Sequence, residues 1–300
     1  MKSLLRIGFI LVLVLIWSNP FGNDLRVTSL MLSSKSSTLR LQPAPAWRQP
    51  ASDPVLFFSD LESGPNSGGE GGLGVFITLW GEGFGLTRGG STVTIGGQEV
   101  AHYVVWGQNN ALARDLDMIV VQPGPDVASG NIVVTANGKA SNPLPFTVRP
   151  GNIYFVATTG NDEGNDGSFA QPWRTVAHAK NTIAAGDTVY IMDGVTETAE
   201  DTYGAVLSIE TSGAQGAPKA LVAYPAAIAT IGSDGLEFGI RVPNIGIVAD
   251  DWVIAKLVLR GQVEAVEIGG DGSSHWRVVG NDISCPVGDG QTGCFTAALA

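Results

Sequence analysis

Residues 153–192 read IYFVATTGNDEGNDGSFAQPWRTVAHAKNTIAAGDTVYIM, and this stretch decides the fold. It opens with an apolar run, 153–157, whose Tyr154, Phe155 and Val156 suit a pleated surface. The loop over 158–168 is rich in Gly, Asn and Asp, a composition that breaks regular structure. A short helical pattern follows, with Val176, Ala179 and Ile183 on one face and Gly186 where a helix C-cap belongs. Asp187 and Thr188 then turn the chain into a second strand, 189–192.

Further along, the chain repeats itself. DWVIAKLVLR (251–260) lies over HWRVVGNDIS (275–284), with Trp252 and Trp276 24 positions apart and Ile254/Val278 and Leu259/Ile283 at the same offset. A period of that length is one coil of a β-solenoid. Ala265, Val266 and Ile268 supply another strand, and residues 295–299 start its counterpart in the next coil. Alternation points Trp252, Ile254, Trp276 and Val278 inward and Val253 and Arg277 outward. Asn281 stands at a turn that suits a left-handed residue. The sequence stops at Ala300 inside a strand pattern, so it reads as the first coils of a longer protein.

The opening strand, the Asn/Asp loop, Gln171, Pro172 and Trp173, the capping helix and GDTVY (186–190) together resemble the entry of one family. That family is the right-handed parallel β-helix of the pectate-lyase-like superfamily, in its chondroitinase-B-like and alginate-lyase-like branch. The resemblance implies a β-helix over 150–300, plugged at its start by the short helix. The same entry also occurs on β-helix proteins of no known activity.

Residues 54–149 form a different unit. Apolar runs at 55–58, 75–80, 92–95, 100–105, 118–121, 132–135 and 146–148, divided by Gly, Pro and Asn turns, predict a small antiparallel sandwich. Gly64 and Pro65 ahead of a Gly-rich loop, VFITLWGEGFG (75–85), TVTIGG (92–97) and SNPLPFTV (141–148) resemble an IPT/TIG domain, an immunoglobulin-like module. Such modules outside cells are mostly spacers or binding units, so this resemblance implies no catalysis. The fold class expected is all-β: an immunoglobulin-like sandwich, then a truncated right-handed parallel β-helix.

Lys2 and Arg6 ahead of the apolar run 7–17 predict a secretory signal peptide over 1–22, too short to span a bilayer. Residues 23–53, with Pro43, Pro45 and Pro50, read as a linker. Export implies a secreted or cell-surface protein in a compartment that permits disulfides, with no membrane span once the signal is removed. There Cys285 and Cys294, bracketing a turn-rich loop, either bridge or stand as two small buried hydrophobes. Forty Gly with 15 % charged residues excludes disorder. A net charge of −11 and a pI near 4.6 argue against a nucleic-acid partner, and against a polyanionic glycan unless local cations offset the charge. Three His and two Cys are too few and too scattered for a zinc site.

Cleaving a polyuronide needs a base beside a carboxylate and a cation to neutralise it. The outward basic residues are Arg241, Lys256, Arg260, His275 and Arg277, which read by default as solvated side chains, and no catalytic residue is assigned. NDEGNDG (161–167) offers oxygen ligands but lacks the spacing of an EF-hand, and reads as a loop built on Asx turns. Asp250 and Asp251 have too few acidic neighbours for a metal. Trp173, Trp252 and Trp276 are either a sugar-stacking platform or core, with core favoured for the last two. No metal or cofactor site is assigned, and Ca²⁺ stays open for a full-length parent. The function expected is interaction with a polysaccharide or cell-surface glycan, in the N-terminal fragment of a lyase acting on uronate-containing polysaccharide. The alternative is a non-catalytic surface or adhesion protein with the sandwich as spacer and the β-helix as stalk. The fragment itself is expected to be inactive.

Overall fold

The computed structural model describes residues 53–109, 116–269, 272–286 and 294–297, together with the backbone of two short paired strands, Leu15–Ile16 and Val27–Thr28. Contacts divide the chain into residues 1–48 and 49–300. Most of the proposed signal segment and most of the linker lie outside the described residues.

Three parallel sheets build the β-helix. The first stacks Ile153–Val156, Thr188–Ile191, Lys219–Ala223, Trp252–Ala255 and Trp276–Val279. The second stacks Thr196–Glu197, Thr230–Gly232, Val258–Arg260 and Asp282–Ser284. The third stacks Ala205–Ser208, Phe238–Val242, Glu264–Ile268 and Phe295–Ala297. The 24-residue repeat is one full coil, because Trp252 pairs Trp276, Ile254 pairs Val278 and Leu259 pairs Ile283. The backbone repeats with it: Asp251 and His275 both have positive φ, as do Lys256 and Gly280. These left-handed residues turn the corners at either end of the first-sheet strand. The left-handed position is therefore Gly280 rather than the predicted Asn281. Asn281 uses its amide between coils, accepting from Leu257 N at 2.8 Å and donating to Ile254 O at 2.8 Å.

The capping helix is Val176–Thr182, with the Thr175 side chain accepting from His178 N as its N-cap. Its Val176 and Ala179, with Ile183, enter the core of the β-helix as the periodicity predicts. The helix ends at Ile183, three residues before the predicted cap. Gly186 instead has φ +93° in the turn closed by Asp187, where a Cβ would press on the Arg149 guanidinium.

The sandwich has one four-stranded antiparallel sheet, in the order Val55–Ser59, Ile77–Glu82, Asp117–Gln122, His102–Asn109. Its second sheet centres on Gly130–Ala136, Thr92–Ile95 and Leu144–Val148, with one parallel pairing to Ser63–Gly64. All seven predicted runs contribute strands. The sandwich does not stand apart, however. Its core is continuous with Ile153, Phe155, Tyr190, Ala220, Val222 and Val253 from the outer face of the first β-helix sheet. Val253 does point out of the coil, as alternation requires, yet it is buried because the sandwich covers it. Each such side chain removed from water contributes roughly 1.5–3 kcal/mol, so the two modules stabilise one another. A sheet buried on both faces reads as continuous apolar runs, which is how Thr188–Ile191 and Lys219–Ala223 appear.

Candidate functional site

The seam between the modules carries three cations whose positions decide what these coils can do. Lys256 reaches into the sandwich, with Nζ 3.2 Å from Asp60 Oδ2 and donating to Thr78 Oγ1 at 2.9 Å. Asp60 is fully buried, and its Oδ1 also accepts from Leu61 N and Thr78 N at 2.9 and 2.7 Å. Arg277 donates to Ser59 O and Asp60 O and pairs with Glu62 Oε1 at 2.8 Å. Arg149, in the joint between modules, donates to Ser63 Oγ on one side and to Gly186 O and Pro218 O on the other. Burial holds its guanidinium below the usual arginine range, with Asp187 opposing the shift. Two phenols complete the seam. Tyr190 donates to Phe76 O at 3.0 Å and Tyr224 to Glu70 Oε2 at 2.7 Å, while both rings meet Phe76 edge-on. Burial pushes the Tyr190 phenol well up, and burial with the Glu70 bond pushes that of Tyr224 to about 12.

Two of the five outward basic residues, Lys256 and Arg277, thus have partners in the sandwich: Lys256 is largely covered, Arg277 is half-buried, and both clip the sandwich to the coils. Arg260 bridges successive coils of the second sheet, donating to Asp282 O at 2.9 Å and pairing with its carboxylate at 3.1 Å. Arg241 pairs with Glu267 across the third sheet and lies over the Phe238 ring at 4.0 Å. Desolvation raises the Glu267 carboxyl despite that partner. His275 alone of the five is largely exposed, at 67 % of its side chain.

His275 lies at the mouth of a cleft of about 530 Å³ between sandwich and coil corners. Leu61, Val253 and Trp276 supply apolar lining. Glu62, Asp251, His275 and Arg277 supply polar groups. Asp251 and His275 occupy equivalent left-handed corners one coil apart, which brings Asp251 Oδ1 to 3.6 Å from His275 Nδ1. That separation is longer than a hydrogen bond.

The remaining candidates have structural partners. Asn161 Oδ1 accepts from Glu163 N and Gly164 N, and Asp166 Oδ1 from Ser168 N, as Asx turns do. Asp162 accepts from Arg174 N, Thr175 N and Thr175 Oγ1, which together pull its carboxyl down against a burial effect that raises it. Asp250 Oδ1 accepts from Ser274 N and Oγ. Trp173 is buried and stacked on Tyr154 at 4.5 Å, and Trp252 and Trp276 stack at 6.1 Å along the core. Trp173 and Trp252 are buried and offer no platform for a sugar, whereas Trp276 is half-buried and lines the cleft. Cys285 and Cys294 are joined in a disulfide with Cα atoms 5.5 Å apart. Among the described residues no group of acidic, His or Cys side chains is arranged to hold a metal ion, and no helix is long and apolar enough to cross a membrane.

Sequence reasoning missed Glu62, Arg149 and Lys180. Glu62 and Arg149 lie between apolar runs, where no periodicity marks a partner. Lys180 sits on the helix at a position that looks exposed, yet it is buried, donating to Ser208 O at 2.7 Å. Desolvation lowers its pKa.

Residues 61–148 match the IPT/TIG domain family, over the sandwich whose motifs resemble it. A stretch of 68 residues, 23 % of the chain, is 38 % identical to the uncharacterized protein YwoF of Bacillus subtilis (strain 168), and spans 13 % of that protein. Among solved structures the chain is similar to the pectate lyase Pel9A, with a TM-score of 0.36 and 20 % identity over 48 % of this chain and 43 % of that one. It is also similar to a rhamnogalacturonan lyase, with a TM-score of 0.30 and 17 % identity over 47 % of this chain and 44 % of the other. The chain therefore spans less than half of each relative.

Proposed function

We propose that this chain belongs to an exported or cell-surface β-helix protein that interacts with glycan, and that the cleft between sandwich and coils holds the saccharide without cleaving it. The observation that carries this reading is the cleft itself. Its volume of about 530 Å³ suits a small oligosaccharide, and its apolar lining with convergent polar groups matches a ligand that alternates C–H faces with hydroxyl edges. Export is supported by Lys2 and Arg6 before the apolar run 7–17. The seam supports a site that does not cleave. A lyase base must be held unprotonated and within reach of substrate, whereas Lys256 and Arg277 are engaged by Asp60, Glu62 and backbone carbonyls.

Calorimetric titration of the full chain with neutral, amino-bearing and uronate oligosaccharides tests the reading. At least one class binds, and His275→Asn, which keeps a residue tolerant of positive φ, weakens that binding. If no class binds, the cleft is no glycan site and the rigid-stalk reading, which the shared core favours, takes its place. With alginate, pectate and chondroitin sulfate no unsaturated product accumulates. Robust product formation abolished by Lys256→Ala or Arg277→Ala would overturn the non-catalytic assignment.

A further inference from the structure

The charge around the cleft narrows its ligand. We infer that the cleft takes an uncharged or amino-bearing saccharide and turns a uronate away. This rests on the reading of the cleft as a glycan site and goes beyond it by naming the class.

The cations near the cleft are already engaged by the protein's own groups. Arg277 pairs with Glu62 at 2.8 Å. Arg149 is held by Ser63 Oγ, Gly186 O and Pro218 O, the first and last being in lining residues of the cleft. Lys256 is paired with buried Asp60 at 3.2 Å. What remains is Asp251, whose nearest charged neighbour among the described residues is the exposed imidazole of His275 at 3.6 Å. Beside it Asp250 is held by Ser274 rather than by a cation. With histidine neutral, the lining of the cleft is net negative. The protein's overall charge of −11 acts in the same direction.

A sugar carboxylate entering here meets Asp251, and the one guanidinium of the lining among the described residues, Arg277, is already paired with Glu62. A carboxylate reaching Arg277 shares that guanidinium with Glu62 and meets the charge of Glu62 as well as that of Asp251. A hydroxyl or an amine, in contrast, donates to Asp251 and leaves the Arg277 pair intact. Half-buried Trp276 lines the cleft, so C–H faces find apolar contact whatever the charge of the sugar.

The test is calorimetry at pH 7 in EDTA and low salt, with trimers of galactose, glucosamine and galacturonic acid as the probes. The neutral and amino trimers are expected to bind about fivefold or more tightly than the uronate trimer, the size of one like-charge contact at the protein surface. The difference shrinks at high salt because exposed charges are screened. Asp251→Asn, which preserves shape and tolerance of positive φ, brings the uronate to within about twofold of the neutral trimer, since it deletes that contact. Uronate binding as tight as or tighter than neutral binding overturns the inference while leaving the cleft a glycan site. Failure of all three trimers to bind removes the site, and both statements with it. A preference against uronate that survives Asp251→Asn unchanged also overturns the inference, since the charge then does not cause it.

Discussion

The first and second sheets of the β-helix are built from the same coils, yet they face different surroundings. In the first sheet Thr188–Ile191, Lys219–Ala223 and Trp252–Ala255 are buried at every position, inward and outward alike. In the second, Val258–Arg260 is buried only at Leu259, the residue that enters the core. The difference is the sandwich. Its four-stranded sheet lies over the outer face of the first sheet, with Phe76 against Tyr190 and Tyr224 and with Thr78 and Asp60 on Lys256. The same chemistry consequently has different weight on the two sheets. Lys256 with Asp60 and Arg260 with Asp282 are both ion pairs near 3 Å, but one is roofed over and the other borders solvent. A covered sheet loses its outer face as a place for chemistry and gains a second apolar layer.

A charge placed under the roof should have the largest effect. Val222→Asp places a carboxylate on the outer face of the first sheet, where Val222 is fully buried. It should destabilise the chain by about 3–5 kcal/mol, the range for an uncompensated buried charge. Urea unfolding should show sandwich and coils losing structure together. If the coils melt alone at an unchanged sandwich midpoint, the shared core is not real.

Next in size is the covered ion pair. Lys256→Ala leaves buried Asp60 without its cation and should cost about 2–4 kcal/mol. Arg260→Ala on the uncovered sheet should cost under about 1 kcal/mol. Equal losses from the two substitutions would show that the sandwich gives no special protection.

Between Asp282–Ser284 and Phe295–Ala297 the coil carries a covalent tie. Replacing Cys285 and Cys294 together by Ser should lower stability by about 2–3 kcal/mol for so short a loop. Thiol titration of the denatured, unreduced chain should detect no free thiol, and two free thiols would rule the tie out.

The smallest effect is the alkaline behaviour of the seam. Tyr224 is pushed to about 12 and Tyr190 is also raised, so both favour the neutral phenol in the folded state. The unfolded chain releases those protons near pH 10, so the contribution is complete below that pH and is lost as pH rises toward 12. Tyr224→Phe should cost about 0.5–1.5 kcal/mol at neutral pH and flatten the alkaline loss. An unchanged alkaline profile would mean that Tyr224 does not titrate at the seam.

The β-helix was legible because it is periodic. Trp252 over Trp276, the Val176/Ala179/Ile183 face and the alternation of Val253 and Ile254 follow from local spacing, which any chain read by itself displays. The sandwich was legible from its Gly-bounded runs for the same reason. Its docking was not. Val222 and Val253 look like outward residues of a solenoid, and Lys256 and Arg277 like solvated cations, until a sheet from more than a hundred residues away lies on them. The cleft has the same origin, since Glu62 and His275 are neighbours only after that docking. Sequence by itself determined the two folds, because hydrophobic period and turn chemistry are local properties of the chain. Tertiary structure alone decided which outer face is covered and which cations are committed, because burial and charge pairing depend on what the rest of the chain brings into contact.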